Sequence, residues 1–142
     1  MIKFIENYFQ HKDDRGSITG LVNFGKWEEF NIIESESGVK RGNHYHKNTQ
    51  ELFVILDGKI KISLQNVQDD RLVGKIKEYE VKEGDVFMIE VNTNHVFEIL
   101  EKSRWINILS IKTDEKLPDI LRVKYMNNIK RELCIGTNTI KK

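Results

Sequence analysis

The segment Lys59-Ile60-Lys61-Ile62-Ser63-Leu64-Gln65 alternates strictly between polar and apolar residues, the period of a half-buried strand. In that conformation Ile60, Ile62 and Leu64 face inward together. The surrounding chain repeats the theme. Leu52 to Leu56 is a short apolar run, followed by Asp57-Gly58, a hairpin-turn signal. Gln68-Asp69-Asp70-Arg71 reads as a polar loop, Gly74 to Val81 as a strand and Lys82-Glu83-Gly84-Asp85 as a turn. Val86 to Val91 is a further strand, Asn92-Thr93-Asn94 turns into His95 to Leu100, and Arg104 to Ile111 closes the series. Short strands at near-regular spacing predict an all-β sandwich or closed barrel.

With 142 residues the chain is expected to form one domain with a core that needs no disulfides. Residues 1–120 read as the barrel with its N-terminal strand segment, and 121–142 as a C-terminal extension of the same domain. Apolar residues at Ile120, Val123, Met126, Ile129 and Leu133 suggest a short helix over 119–133, and 136–142 reads as a loose tail. Lys+Arg number 23 against 22 Asp+Glu, so no global field favours nucleic acid or an anionic membrane, and an anionic ligand needs a local cluster. The lone Cys134 excludes an internal disulfide, and no stretch has signal-peptide or membrane-span character. A soluble, cytoplasmic protein is the expectation.

Three of the four histidines, with one glutamate, are spaced to build a metal site. His44 and His46 are two apart on a strand and share a face, while Tyr45 points away. Glu51, beyond the polar connection Lys47 to Gln50, can rejoin that face from the next strand, and His95 follows in a second strand pair. Three imidazoles and a carboxylate suit Zn, Mn, Fe or Ni better than Ca or Mg.

Gly38, five residues, His44, one residue, His46, four residues, Glu51, six residues and Gly58 spell the complete first motif of the cupin superfamily. In the second motif Gly84 and His95 are kept, whereas Glu90 replaces a proline, Asn92 a glycine and Ile99 an asparagine. The chain therefore resembles a cupin, which implies a single-domain jelly-roll β-barrel (a double-stranded β-helix). It also implies that His44, His46, Glu51 and His95 ligate a divalent metal. Asp14-Arg15-Gly16-Ser17 looks like an element of deoxysugar 3,5-epimerases and sugar 3,4-ketoisomerases. Arg41-Gly42-Asn43-His44-Tyr45-His46 is similar to a string in epimerase-type cupin domains of capsule biosynthesis, and Asp114 to Asp119 to their Pro-Asp exit segment. This resemblance, over residues 14 to about 120, implies an epimerase or ketoisomerase acting on a nucleotide-linked keto-sugar in surface polysaccharide biosynthesis.

The departures bear on mechanism. The ketoisomerases carry glutamine where this chain has Glu51 and work through paired histidines without a metal. The rhamnose-type epimerases carry glutamine in place of His46, leaving the first histidine free as a base. Both chemistries remove a proton α to a ketone. His44 and His46 are thus candidates for catalysis directly as well as for ligation, and ligation ranks first, because one imidazole does not readily serve both roles. A metal-dependent dioxygenase and a non-catalytic sugar- or metal-binding module are the alternatives. For a diphosphate, Arg41 reaches the site only if Gly42 permits a bulge. Arg15 suits a homodimer interface, as the resembling families imply. Trp27, Trp105 and Tyr79 can stack a nucleobase, with core packing the prior expectation. His11 is expected to be exposed, and Cys134 to be a small buried hydrophobe.

Overall fold

The computed structural model describes residues 1–123, all of them strand, turn or irregular backbone, with no helix among them. Two long strands organise the rest: β6 (Glu51–Gln68) and β9 (Thr93–Leu109), antiparallel along nearly their whole length. Each bends midway and serves two layers. Their outer halves, Glu51 to Ile55 and Trp105 to Leu109, share a layer with β1 (Ile2–Phe4), β8 (Val86–Ile89) and β4 (Glu29–Ser35). Their other halves lie between β7 (Arg71–Lys82) and β5 (Lys40–His44). The two layers enclose one core of Phe53, Ile55, Ile60, Ile62, Leu64, Val81, Phe87, Ile89, Phe97, Ile99 and Trp105. As expected, Ile60, Ile62 and Leu64 all point into it, each worth roughly 1.5–3 kcal/mol of burial.

The β6 and β8 strands of the first layer are buried on both faces, which explains their unbroken apolar runs. Leu52, Val54, Val86, Met88 and Ile108 point outward yet are covered by Ile5, Leu21, Val22 and Trp27 of the N-terminal segment. Trp27 packs there and Trp105 sits in the core, so both meet the packing expectation; Tyr79 packs against the core and the Phe4 ring. The polar loop is a two-residue hairpin in which Asp69 and Asp70 both take positive φ. Strands β2 (Phe9–Asp13) and β3 (Gly16–Gly20) form a separate hairpin, on which His11 is exposed.

Three expectations need correction. Asp57-Gly58 is no hairpin: β6 runs straight through it, and the register against β9 shifts on both sides of Asp57. Gly58, at φ 95°, bends the strand where Ser103 crosses, and a Cβ there would meet Ser103 Oγ at 2.1 Å and the Lys102 carbonyl at 2.4 Å. Asp57-Gly58 has residues common in turns, but the long pairing with β9 uses them as a bulge. His95 to Leu100 and Arg104 to Ile111 are likewise not separate strands but parts of β9. Within the expected helix, residues 119–123 are non-helical, and Leu121 forms an antiparallel bridge with Tyr45. The remainder of that segment, Cys134 and the expected tail lie outside the described residues. No helix among the described residues is long and apolar enough to cross a membrane.

Replacing Gly58 with Ala should lower stability by roughly 2–4 kcal/mol, a strained φ plus overpacking against β9. Urea denaturation measures it, and a midpoint equal to the parent's would refute the proposed corner.

Candidate metal centre

His44 ends β5, His46 follows one residue later, Glu51 opens β6 and His95 lies near the start of β9. Strand pairing brings these distant residues to one end of the barrel. His44 pairs with His95, and the β5 register shifts between Gly42 and His44, with Gly42 at φ 92° and Asn43 at φ 60°. A Cβ on Gly42 would lie 2.7 Å from the His95 carbonyl oxygen, so the bulge needs glycine there. The condition set on Arg41 is therefore met: the bulge exists, and Arg41 lines the pocket. Its guanidinium is tied to the Ser35 hydroxyl and, at 3.2 Å, to the Glu34 carbonyl. Arg15 is elsewhere. It sits at the tip of the β2–β3 hairpin, paired with Asp13 at 2.7 Å, and does not line this chain's pocket.

One potential ligand atom from each of His44, His46, Glu51 and His95 lies within 4.8 Å of every other. His46, Glu51 and His95 are buried; His44 is half-buried and faces the pocket. The hydrogen bonds at the back of the rings decide what the front can do. His46 Nδ1 meets the Asp119 carbonyl, and His95 Nδ1 meets the Thr93 carbonyl at 3.1 Å. A carbonyl only accepts, so in each neutral ring the proton sits on Nδ1 and Nε2 presents a lone pair. Both lone pairs converge on Glu51 Oε1, at 2.9 Å from His46 and 3.1 Å from His95. Neither His46 Nε2 nor Glu51 Oε1 has an aligned hydrogen bond. Two lone pairs and an anion, so close and buried, require a cation among them. The donor set therefore fits a divalent metal of the Zn, Mn, Fe or Ni class.

Electrostatics express the same demand. Burial works against charge on His46, but the Glu51 carboxylate beside it prevails and raises its pKa above the ordinary histidine value. Burial would raise the Glu51 pKa, yet His95 and His46 hold it well below the usual carboxylate range. Burial, then the neighbouring His95, pushes His44 down to about 3, so it stays neutral. A metal would compete with the proton that the Glu51 carboxylate favours on His46.

Other contributors escaped the sequence reading. Asn107 donates to Glu51 Oε2 at 3.0 Å, leaving Oε1 to face the histidines. Asn31 in turn approaches Asn107 Oδ1 at 3.5 Å and donates to Glu29 at 2.9 Å, extending a polar row along the wall. The signal for Asn107 was present: it is a lone amide inside the apolar run Trp105 to Leu109. Tyr45, as expected, is off the ligand face; it is buried and donates its hydroxyl to Asp70. The ligands open into a cavity of about 480 Å³, floored by Ile33, Phe53, Phe97 and Trp105. Arg41, Lys112 and Asp114 also line it.

The His44 shift has a definite sign. Between 6.5 and about 3 the unfolded chain binds a proton at this residue that the folded chain refuses, so acidification favours unfolding. In metal-free protein, His44→Gln should flatten the fall in melting temperature from about pH 7 to about pH 4. Parallel profiles for parent and variant would contradict this.

Comparison with known proteins agrees with the geometry. The family model described as the polysaccharide biosynthesis C-terminal domain matches residues 11–117. A UDP-2-acetamido-2,6-beta-L-arabino-hexul-4-ose reductase from Pseudomonas aeruginosa is 28% identical over 57 residues, 40% of this chain and 15% of that protein. The capsular polysaccharide assembling protein CapF from Staphylococcus aureus superimposes with a TM-score of 0.62 at 27% identity, over 82% of this chain and 34% of that one. A 3,4-ketoisomerase from Helicobacter canadensis gives 0.68 at 20% identity, over 85% and 90%. The chain thus spans 15% of the reductase and 34% of CapF. The architecture is the cupin jelly roll that the motifs imply. With all four converging residues inside the matched span, the chain belongs to the polysaccharide biosynthesis C-terminal domain family.

Proposed function

We propose that this chain is a metal-binding cupin that epimerises or isomerises a nucleotide-linked keto-sugar during surface polysaccharide biosynthesis, by proton abstraction α to the ketone. One observation carries the reading: three histidines and a carboxylate converge at the inner end of a cavity large enough for a sugar. The family match and the UDP-sugar and capsule relatives support the substrate class.

A divalent ion held by His44, His46, Glu51 and His95 would supply Lewis-acid polarisation of the ketone oxygen. The chain's own residues do the rest. Asn107 orients Glu51, and Ile33, Phe97 and Trp105 exclude water from the inner cavity. Asn31 and Glu29 give the wall hydrogen-bonding groups suited to sugar hydroxyls. Arg41 and Lys112, which line the cavity, are the candidates for meeting a diphosphate. The depressed pKa of His44 favours ligation over the paired-histidine route, because a base whose conjugate acid sheds its proton near 3 is poorly matched to neutral pH.

Incubation with a nucleotide 4-keto-6-deoxysugar in deuterium oxide should place deuterium at C3 or C5, and His44→Ala should abolish exchange. Glu51→Gln should weaken metal binding roughly tenfold or more and reduce exchange with it. A silent Glu51→Gln would instead leave paired histidines acting alone, and no exchange with any such sugar would leave the dioxygenase or binding-module reading.

The same reading makes the protein a homodimer, with Arg15 at the partner's pocket mouth. Its support is the separate β2–β3 hairpin, which leaves Tyr8, Phe9 and Ile18 exposed. Light scattering should return twice the 16.7 kDa chain mass, and a monomer at working concentration would remove this role for Arg15.

A further inference from the structure

The connection between His46 and Glu51 is held from outside, by a residue far along the chain. The Asp119 carboxylate accepts the backbone N–H groups of Lys47 at 3.0 Å, Asn48 at 2.8 Å and Thr49 at 2.9 Å. These three residues are most of the loop linking the two ligands. Asp119 also turns its own carbonyl onto His46 Nδ1. The segment that carries it is docked on both sides. Leu121 exchanges two backbone hydrogen bonds with Tyr45, at 2.9 and 3.0 Å, and Arg122 Nη1 donates to the Gly42 and Asn43 carbonyls at the β5 bulge. Leu117, Asp119 and Ile120 form part of the cavity wall.

We propose that Asp119 is the positioning residue of the site: it fixes the tautomer of His46 and the loop leading to Glu51 together, so the ligand set is completed only when the 119–122 segment docks.

Two features of the geometry lead there. In the neutral ring, a carbonyl acceptor at Nδ1 takes the proton to that nitrogen and leaves Nε2 unprotonated toward Glu51. That carbonyl is main chain, and the carboxylate of the same residue is what anchors it to the loop. Removing the carboxylate releases three hydrogen bonds at once and frees the carbonyl to move. By linkage, a metal bound to His46 must in turn stabilise the docked segment. The consequence for metal rests on the proposed function, whereas the tautomer does not.

The test uses the full chain, ¹⁵N-labelled and metal-free, in alkaline buffer so that His46 is neutral. Long-range proton–nitrogen spectra should assign His46 as the Nδ1-protonated tautomer. Asp119→Ala should shift it toward a mixture, and Asp119→Asn, which keeps one acceptor oxygen, should shift it less. Titration with Zn²⁺ should show Kd raised about 10- to 100-fold in Asp119→Ala, with partial recovery in Asp119→Asn. An Nε2-protonated His46 in the parent, or a tautomer unchanged by Asp119→Ala, would overturn the proposal. If Asp119→Ala does not fold, the Asp119→Asn spectrum decides by the same criterion. If the parent takes up no zinc, the metal reading fails while the tautomer shift still tests the positioning role.

Discussion

The pairing of β6 with β9 is the constraint on which the molecule depends. Two strands of 18 and 17 residues contribute to both layers, so the core between the layers and the site at their end share one backbone register. A slip of one residue would turn Ile60, Ile62 and Leu64 toward water and carry Glu51 and His95 out of the site together. The bulges around Asp57 and the bend at Gly58 let a single strand turn from one layer into the other. Glycine takes the positive φ of this corner without steric cost.

That rigid frame makes an otherwise costly cluster tolerable. A buried charge lacking a partner costs several kcal/mol. Glu51 is relieved on one oxygen by the Asn107 amide, while the other faces the two histidines. The arrangement still needs a positive charge in its centre, because the carbonyls behind His46 and His95 assign their protons to the far side. Proton and metal compete for the same place. Metal binding at this cluster, as proposed, would for that reason be inseparable from its protonation state.

Fold alone does not choose the chemistry, since the same barrel serves many reactions. Local differences decide here. A carboxylate at position 51 supplies an anion where an amide would supply only a dipole. A low His44 pKa makes that ring a better ligand than base. The polar row from Glu51 through Asn107 and Asn31 to Glu29 gives the cavity one hydrophilic wall against an apolar floor. Such a cavity suits a ligand with hydroxyls on one side.

The sequence determined what depends on short-range periodicity and residue chemistry. Alternation at Lys59 to Gln65 placed three side chains in the core, and the spacing of His44, His46, Glu51 and His95 marked the converging residues, because strand side chains repeat every two residues. What it left open depended on long-range partners. Asp57-Gly58 has the chemistry of a turn, and only its pairing with β9 makes it a bulge. Asn107 reads as an interruption of a strand until Glu51 is seen beside it. Residues 119–133 suggest a helix by the spacing of Ile120 and Val123, but Tyr45 offers Leu121 backbone hydrogen bonds that local propensity cannot foresee. Tertiary structure made these choices because a backbone group or amide is satisfied by whatever the fold brings within reach, however distant in the chain.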